Sequence, residues 1–508
     1  MTWTEETDEW TSLLRHPRSK ESRWGPRYTV AVMGCLGLVV EYCQRVNLSV
    51  AIVAMAGTLG SNYTEVIEEC PNNDNTTTTT VSPVYRGEFN WDKEIQGVVL
   101  GAFFWGYATT NIIGGRASEY LGGKMVFGMG IITSSFLSLI SPFCARASVG
   151  VFVACRVLLG AAQGVTFPAI NTMLATWVVP VERSKFSTIV YSGFQLGSVV
   201  GMTASGWLAA SDFLGGWPSA FYVFGVAGLV WGVAWCACVY DRPEDHPRIP
   251  YRDLRMLRQH QDSVKSAEVV AIPWRAIVTS LPFWAVMAVT AGNDYCFYTL
   301  LTGMPTYLGD VQHIDLANNG LLSALPYLLM WAWGVGWAVL MDGLAKGGHI
   351  SIVTVRRLSM AVALYGPMCG LVGMVFVRCN PVLAVTLLCV SVMLSGAVNS
   401  GHMCSHQDLA PNLAGTLLGT TNTLGAVAGI ASSTITGIIL QENAAVWGWR
   451  QVFLISIAFY LISCTLYVVF ISADVQPWND VNFAGRDEDE DSEGPIDTHY
   501  LPDEGEED

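Results

Sequence analysis

The sequence predicts an all-α membrane protein of 12 transmembrane helices, arranged as two pseudo-symmetric six-helix halves. Three observations carry this. Of 508 residues, 51% are hydrophobic and 14% charged, too apolar for an ordinary soluble domain. Twelve apolar stretches reach the roughly 20 residues needed to cross about 30 Å of hydrocarbon. Basic residues crowd the loops of one face, and residue patterns recur at equivalent places in the two halves.

Residues 1–27 form a polar N-terminal segment. Within it, Glu9-Trp-Thr-Ser-Leu13-Leu14 sets an acid four positions before a Leu pair, a pattern resembling those that clathrin adaptors read when they route membrane proteins to lysosomes and related vesicles. The spans fall at about 28–56, 95–115, 125–144, 149–179, 187–210, 218–240, 276–304, 319–341, 353–377, 381–405, 413–440 and 451–473. The first is not a cleavable signal peptide, because 27 mostly polar residues precede it and Arg45 lies inside it. Spans 1–6 make the half 28–240, the charged and Pro-containing stretch 241–274 is a cytosolic linker, spans 7–12 make the half 275–473, and 474–508 is a disordered acidic tail.

With both termini in the cytosol, twenty of the 27 Lys and Arg residues lie in cytosolic segments and five on the opposite face, leaving Arg45 and Arg156 within spans. That asymmetry fixes the orientation. The polar loop 57–93 agrees, since its sequons at Asn62 and Asn75 are usable only on the lumenal or extracellular side.

Net charge is −15, but fourteen acids and one base lie from Asp474 onward, so the tail holds −13 and the rest sums to −2. No dense basic face exists to bind nucleic acid. Thirteen Cys in 508 residues, most of them inside apolar runs, exclude a disulfide scaffold. A nucleophile or metal constellation of the kind an enzyme needs is missing; His402 and His406 stand four apart without further ligands at metal spacing, and neither a metal nor a cofactor is expected.

The halves carry related elements. Gly115, Glu119 and Lys124 stand between spans 2 and 3, while Ala338, Asp342 and Lys346 stand between spans 8 and 9. Glycines four apart recur in spans 5 and 11, where they let helix backbones approach closely.

An Arg at mid-span costs about 2.5–3.5 kcal/mol on insertion scales, so it faces a bundle interior or wet cavity. Arg45 and Arg156 are therefore candidate anion contacts, their planar guanidinium forks suiting a carboxylate or phosphate. Glu41, one helical turn from Arg45, and Asp294 in span 7 are candidate structural partners or proton-coupling groups, because carboxyls in apolar surroundings can load and release a proton near neutral pH.

Arg45-Val-Asn-Leu-Ser-Val-Ala-Ile-Val53, Phe89-Asn-Trp-Asp92, Gly101-Ala-Phe-Phe-Trp-Gly-Tyr107, Gly164-Val-Thr-Phe-Pro-Ala169, Pro180-Val-Glu-Arg-Ser-Lys185, Phe297-Tyr-Thr-Leu-Leu-Thr302 and His406-Gln-Asp-Leu-Ala-Pro411 occur in order along the chain. Together they resemble the anion transporter family of the major facilitator superfamily, which contains sialin, vesicular glutamate and nucleotide transporters and sodium/phosphate cotransporters. The resemblance implies a rocker-switch carrier with a central anion site between the halves. It assigns Arg45 and Arg156 to the substrate, with Tyr107 and Asn293 beside them. It makes Gly115, Glu119, Lys124 and Asp342 a gating motif that latches the halves in one state. Where sialin and the glutamate carriers have a Glu implicated in proton coupling, this chain has Gln163, as nucleotide-carrying relatives do. Where glutamate carriers have a His and an Arg, it has Leu100 and Asn293. Relatives usually lack both Glu41 and Asp294.

The expectation is a secondary active transporter of small organic anions, of sialic acid or acidic amino acid type, in a lysosomal or vesicular membrane. Protons or the membrane potential would drive it. The alternatives are a sodium-dependent phosphate or urate carrier at the plasma membrane and a vesicular nucleotide transporter.

Overall fold

The structure, a computed structural model, describes residues 25–56, 87–178, 180–247, 249, 254–255, 257, 272–312, 314–377, 380–410, 413–443 and 445–479. Glu9, Leu13 and Leu14, the sequons at Asn62 and Asn75, most of the linker and the tail from 480 lie outside the described residues, as do the side chains of Glu119 and Lys346.

Helices account for every span, as the bilayer requires when no water is available to backbone polar groups. They are Pro26–Ala56, Lys93–Leu121, Gly123–Ala147, the pair Val149–Gly164 and Thr166–Trp177, Pro180–Ala210 and Pro218–Cys238 in the first half. In the second half they are Leu281–Asp310, Leu316–Lys346, Ile352–Phe376, the pair Pro381–Ser395 and His402–Leu409, Ala414–Glu442 and Ala445–Phe470. Among the described residues, nine helices meet the length and apolarity of a membrane crossing. Spans 2, 5 and 7, the remaining three, are 29, 31 and 30 residues long and carry more polar residues.

Local sequence sets where these helices start. The side chains of Asp92, Ser148, Asp315, Ser351 and Asn380 each accept a hydrogen bond from the backbone N–H three residues on, capping spans 2, 4, 8, 9 and 10. Each such cap is worth about 0.5–2 kcal/mol. Pro218 and Pro381 occupy first turns, where the missing N–H has no intrahelical partner to lose.

Two expected continuous spans are broken. Span 4 interrupts at Val165, where Pro168 cannot donate a hydrogen bond back to Gly164. Span 10 passes through a tight turn, Gly396–Ser400, before resuming at His402.

One apolar core, with Phe127, Ile170, Trp177 and Trp235, lies in the first half; another, with Tyr295, Tyr327, Met360 and Tyr460, fills the second and takes in Val46, Val50 and Met202 across the seam. The halves meet through span 1 on span 7, span 2 on span 11 and span 5 on span 8. The last two pairings exchange under the pseudo-two-fold that relates the halves. Both are tight at the face bearing residues 87–92, here called the loop face. A Cβ on Gly97 would stand 2.9 Å from the Cα of Gly437, and one on Gly320 would stand 2.8 Å from the Cα of Gly206. At the same face the Lys93 ammonium pairs with the Asp310 carboxylate, and the Lys93 backbone N–H donates to Gln441 Oε1 at 2.9 Å. Towards the opposite, tail-bearing face, a Cβ on Gly336, Gly343 or Gly419 would meet open space.

The segment expected as a gating loop is helical. Span 2 runs on through Gly115 to Leu121, and span 8 through Asp342 to Lys346. The chain turns at Gly122, whose φ of +88° favours glycine. Lys124 is held within its own half: its backbone N–H donates to Asp241 Oδ1 at 2.9 Å and its ammonium to the Cys236 carbonyl at 3.4 Å. Asp342 is exposed. In this state Lys124 is thus anchored within its own half, with Asp241 holding its backbone N–H.

Candidate functional site

Span 1 carries Glu41, Arg45 and Ser49 at helical spacing, on the strip that faces span 7 and the middle of the molecule. Arg45 is 5% exposed. Its Nη2 donates to Glu41 Oε1 at 3.3 Å and its Nη1 to the Tyr42 hydroxyl at 3.2 Å. Its guanidinium carbon lies 4.5, 4.6 and 4.8 Å from the ring centroids of Tyr42, Phe103 and Tyr107. Ring faces stabilise a desolvated cation, so Arg45 stays charged away from bulk water.

Arg156, 2% exposed, comes from span 4 and reaches Phe103 from another direction, its guanidinium carbon 5.7 Å from the ring centroid. Its Nε and Nη1 have no hydrogen-bond partner, and the Nε of Arg45 has none either. The two side chains differ in that Arg45 has a carboxylate and a hydroxyl as partners, while Nε and Nη1 of Arg156 have none.

Both line one small cavity of about 10 Å³, together with Val46, Ser49, Leu100, Phe103 and Phe104 of the first half and Leu301 and Thr302 of the second. That is room for roughly one water. The cavity spans the seam between the halves, so their relative motion must change its size. Two buried cations with three unpartnered donor nitrogens between them line it, a combination suited to an oxyanion.

The remaining predicted residues sit around this centre in different ways. Tyr107 is 6% exposed and stacks on Phe103 at 5.7 Å between centroids, so it reaches the site through Arg45. Gln163 is buried; its amide donates to the Glu41 carbonyl at 3.3 Å and its Oε1 is unpartnered, tying span 4 to span 1 just before the break. Asn293 does not line the cavity. Its amide donates to Asp294 Oδ1 at 3.0 Å. Asp294 lies where span 7 meets span 11, against Gly425, and within electrostatic reach of Tyr42, Tyr107 and Tyr298.

His402 and His406 are buried with ring centroids 6.2 Å apart, and His406 Nε2 contacts Thr421 Oγ1 at 2.9 Å. Among the described residues no group of three or more His, Cys, Asp or Glu side chains is positioned to hold a metal.

Sequence reasoning missed the apolar wall of Leu100, Phe103 and Phe104. Its signal was available: with Tyr107 these residues stand at i, i+3, i+4 and i+7, one face of span 2.

Comparison with known proteins gives the same picture. The Major Facilitator Superfamily pattern matches residues 34–433. Sialin of Homo sapiens is 36% identical over 484 residues, covering 93% of this chain and 95% of sialin. A putative inorganic phosphate cotransporter of Drosophila ananassae is 35% identical over 450 residues, covering 87% and 92%. The solved structure of a bacterial homologue of the human lysosomal transporter Spinster, inward-facing and occupied, superposes with a TM-score of 0.63 at 14% identity over 87% of this chain and 96% of that one. With its twelve spans, paired halves and buried arginines at the seam, this chain belongs to the anion transporter family of the major facilitator superfamily and is a membrane transporter, not an enzyme.

Proposed function

We propose that the protein carries a small organic anion, of sialic acid or acidic amino acid type, across a lysosomal or vesicular membrane by alternating access, with Arg156 and Arg45 holding the anion. One observation carries this reading: a buried guanidinium with unpartnered donors, Arg156, lines a cavity on the seam between the two halves. The halves pack tightly at the loop face, so access opens from the tail face. With the termini in the cytosol this is an inward-facing arrangement. No cofactor is required, and the coupling ion is a proton or, in the alternative, sodium. Gln163 cannot titrate and Glu41 is engaged by Arg45, which leaves Asp294 as the coupling acid. The dileucine at Leu13 and Leu14, with Glu9, would direct the chain to adaptors, and Asn62 and Asn75 would be glycosylated in the lumen.

The test is uptake into proteoliposomes of a panel of labelled anions under separately imposed pH, sodium and voltage gradients. For any anion carried, Arg156→Gln should reduce uptake by about 10–100-fold, the loss expected when a charge-assisted contact is removed from a buried site. Undiminished uptake would overturn the assignment of Arg156. Uptake of inorganic phosphate that collapses without sodium would favour the cotransporter alternative.

A further inference from the structure

Two cations share the central site, yet only one lacks a counter-ion. Glu41 is fully buried, its Oε1 is 3.3 Å from Arg45 Nη2, and its Oε2 has no partner. The contact is single and long for a charged pair, not the bidentate fork that fixes an Arg–carboxylate bridge. Asp294 takes its hydrogen bond from Asn293, and no ion pair within 4.0 Å joins it to either arginine. Arg45 and Arg156 approach the same ring, Phe103, at 4.6 and 5.7 Å, so a ligand lying along that ring would sense both guanidiniums and Glu41 together.

We propose that Glu41 determines specificity as a tethered counter-anion, which leaves Arg45, Arg156 and Glu41 with a combined charge of +1 and so selects monoanions over dianions. The inference rests on the assignment of Arg45 and Arg156 to the transported anion. A monoanion neutralises the three groups, whereas a dianion leaves an unbalanced negative charge where water is scarce, unless it displaces Glu41 from Arg45. Displacing Glu41 is costly, because it is fully buried and its freed carboxylate would be left without a counter-charge. A purely structural Glu41, needed only to bring Arg45 into the bilayer, would make no distinction between one and two negative charges on the cargo.

The experiment uses the full-length chain in proteoliposomes with the membrane potential clamped at zero and both sides at about pH 7.5, where the probes' own carboxylates are ionised. The probes are monocarboxylates paired with dicarboxylates of the same carbon skeleton, gluconate with glucarate and pyruvate with malonate. Wild type should prefer the monoanion, and Glu41→Gln should raise the ratio of dianion to monoanion uptake at least tenfold. Arg45→Gln, which leaves Arg156 and Glu41 at a combined charge of zero, should lower uptake of both probes at least tenfold. The double variant Arg45→Gln/Glu41→Gln restores +1 and should recover monoanion uptake, a rescue that lost packing cannot produce; it carries the test should Glu41→Gln alone fail to fold. A ratio unchanged within twofold in Glu41→Gln, or no rescue in the double variant, overturns the role given to Glu41 while Arg156-dependent uptake of the monoanion leaves the transport reading standing. If no probe or panel anion shows Arg156-dependent uptake, the transport reading fails and this inference with it.

Discussion

Substituting Gly97 by Ala should disfavour the conformation closed at the loop face without touching the anion site. The added Cβ would stand 2.7 Å from the Ser433 carbonyl oxygen and 2.9 Å from the Gly437 Cα. Both are backbone atoms of span 11, so no rotamer change relieves the clash. Restoring ordinary contact near 3.5 Å requires spans 2 and 11 to part by about 0.5–1 Å. Overpacking of a close-fitting interface costs about 1–3 kcal/mol. When the halves tilt apart at this face the contact is gone, so the cost falls on one conformation only. At 1.4 kcal/mol per factor of ten, the balance between loop-closed and loop-open states shifts by about 5–150-fold. Spin labels placed on the loop-face ends of spans 2 and 11, with distances read by pulsed electron resonance, would show the longer-distance population grow. Gly320→Ala, at the pseudo-symmetric contact with Gly206, should act in the same direction. Distance distributions identical to wild type in both variants, in a folded protein, would refute the argument that glycine contacts hold this face shut.

The ion pair between Lys93 and Asp310 joins the halves at the same face and is partly buried. Asp310→Asn should weaken closure by about 1 kcal/mol, roughly a fivefold shift in the same distance measurement, and Lys93→Asp combined with Asp310→Lys should restore it. The Arg146 hydrogen bond, with help from Trp217, holds the Glu88 carboxyl below the usual carboxylate range despite partial burial. A lowered folded-state value means the stabilisation is complete above the unfolded-state value of about 4.3 and disappears as pH falls through the folded one. The melting difference between wild type and Glu88→Gln should therefore stay constant from about pH 7.5 to pH 5 and shrink only as pH falls below the unfolded-state value. Both side chains are about 40% exposed, which limits the effect to under about 1 kcal/mol. A difference that already closes between pH 7 and 5.5 would contradict the assignment.

Much of the architecture was legible because the bilayer enforces it. Twelve apolar stretches had to become helices, and the pairing of Glu41 with Arg45 follows from their spacing of four on one helix. What escaped was set by tertiary contact. The break at Val165 has a local cause in Pro168, but that a broken span 4 would still deliver Arg156 to a seam depends on its packing against span 2. Leu100, Phe103 and Phe104 carry a clear helical period, yet in a span that is apolar on most faces the period does not say which face meets the site. The amide of Asn293 turns to the neighbouring Asp294 carboxylate in this state, a choice of rotamer that sequence does not encode. The acid that holds the Lys124 backbone N–H, Asp241, lies 117 residues away in sequence at the end of span 6, a pairing no local pattern announces.

The charge count at the seam also constrains the transport cycle. With Asp294 ionised, Arg45, Arg156, Glu41 and Asp294 sum to zero, and with Asp294 protonated they sum to +1. On the proposed reading, an occluded site is neutral when empty with Asp294 ionised, and neutral again when it holds one monoanion and one proton. Both are the states that must cross the barrier, because an uncompensated charge in a closed, water-poor cavity costs several kcal/mol. Coupling then follows from forbidden intermediates: an anion without its proton, or a proton without its anion, leaves the closed site charged. In Asp294→Asn the loaded site remains neutral but the empty one carries +1. The variant should therefore exchange internal for external anion at near wild-type rate while net uptake driven by a pH gradient falls at least tenfold. Counterflow and net uptake measured on the same proteoliposomes separate the two, and equal loss of both would remove Asp294 from the coupling step.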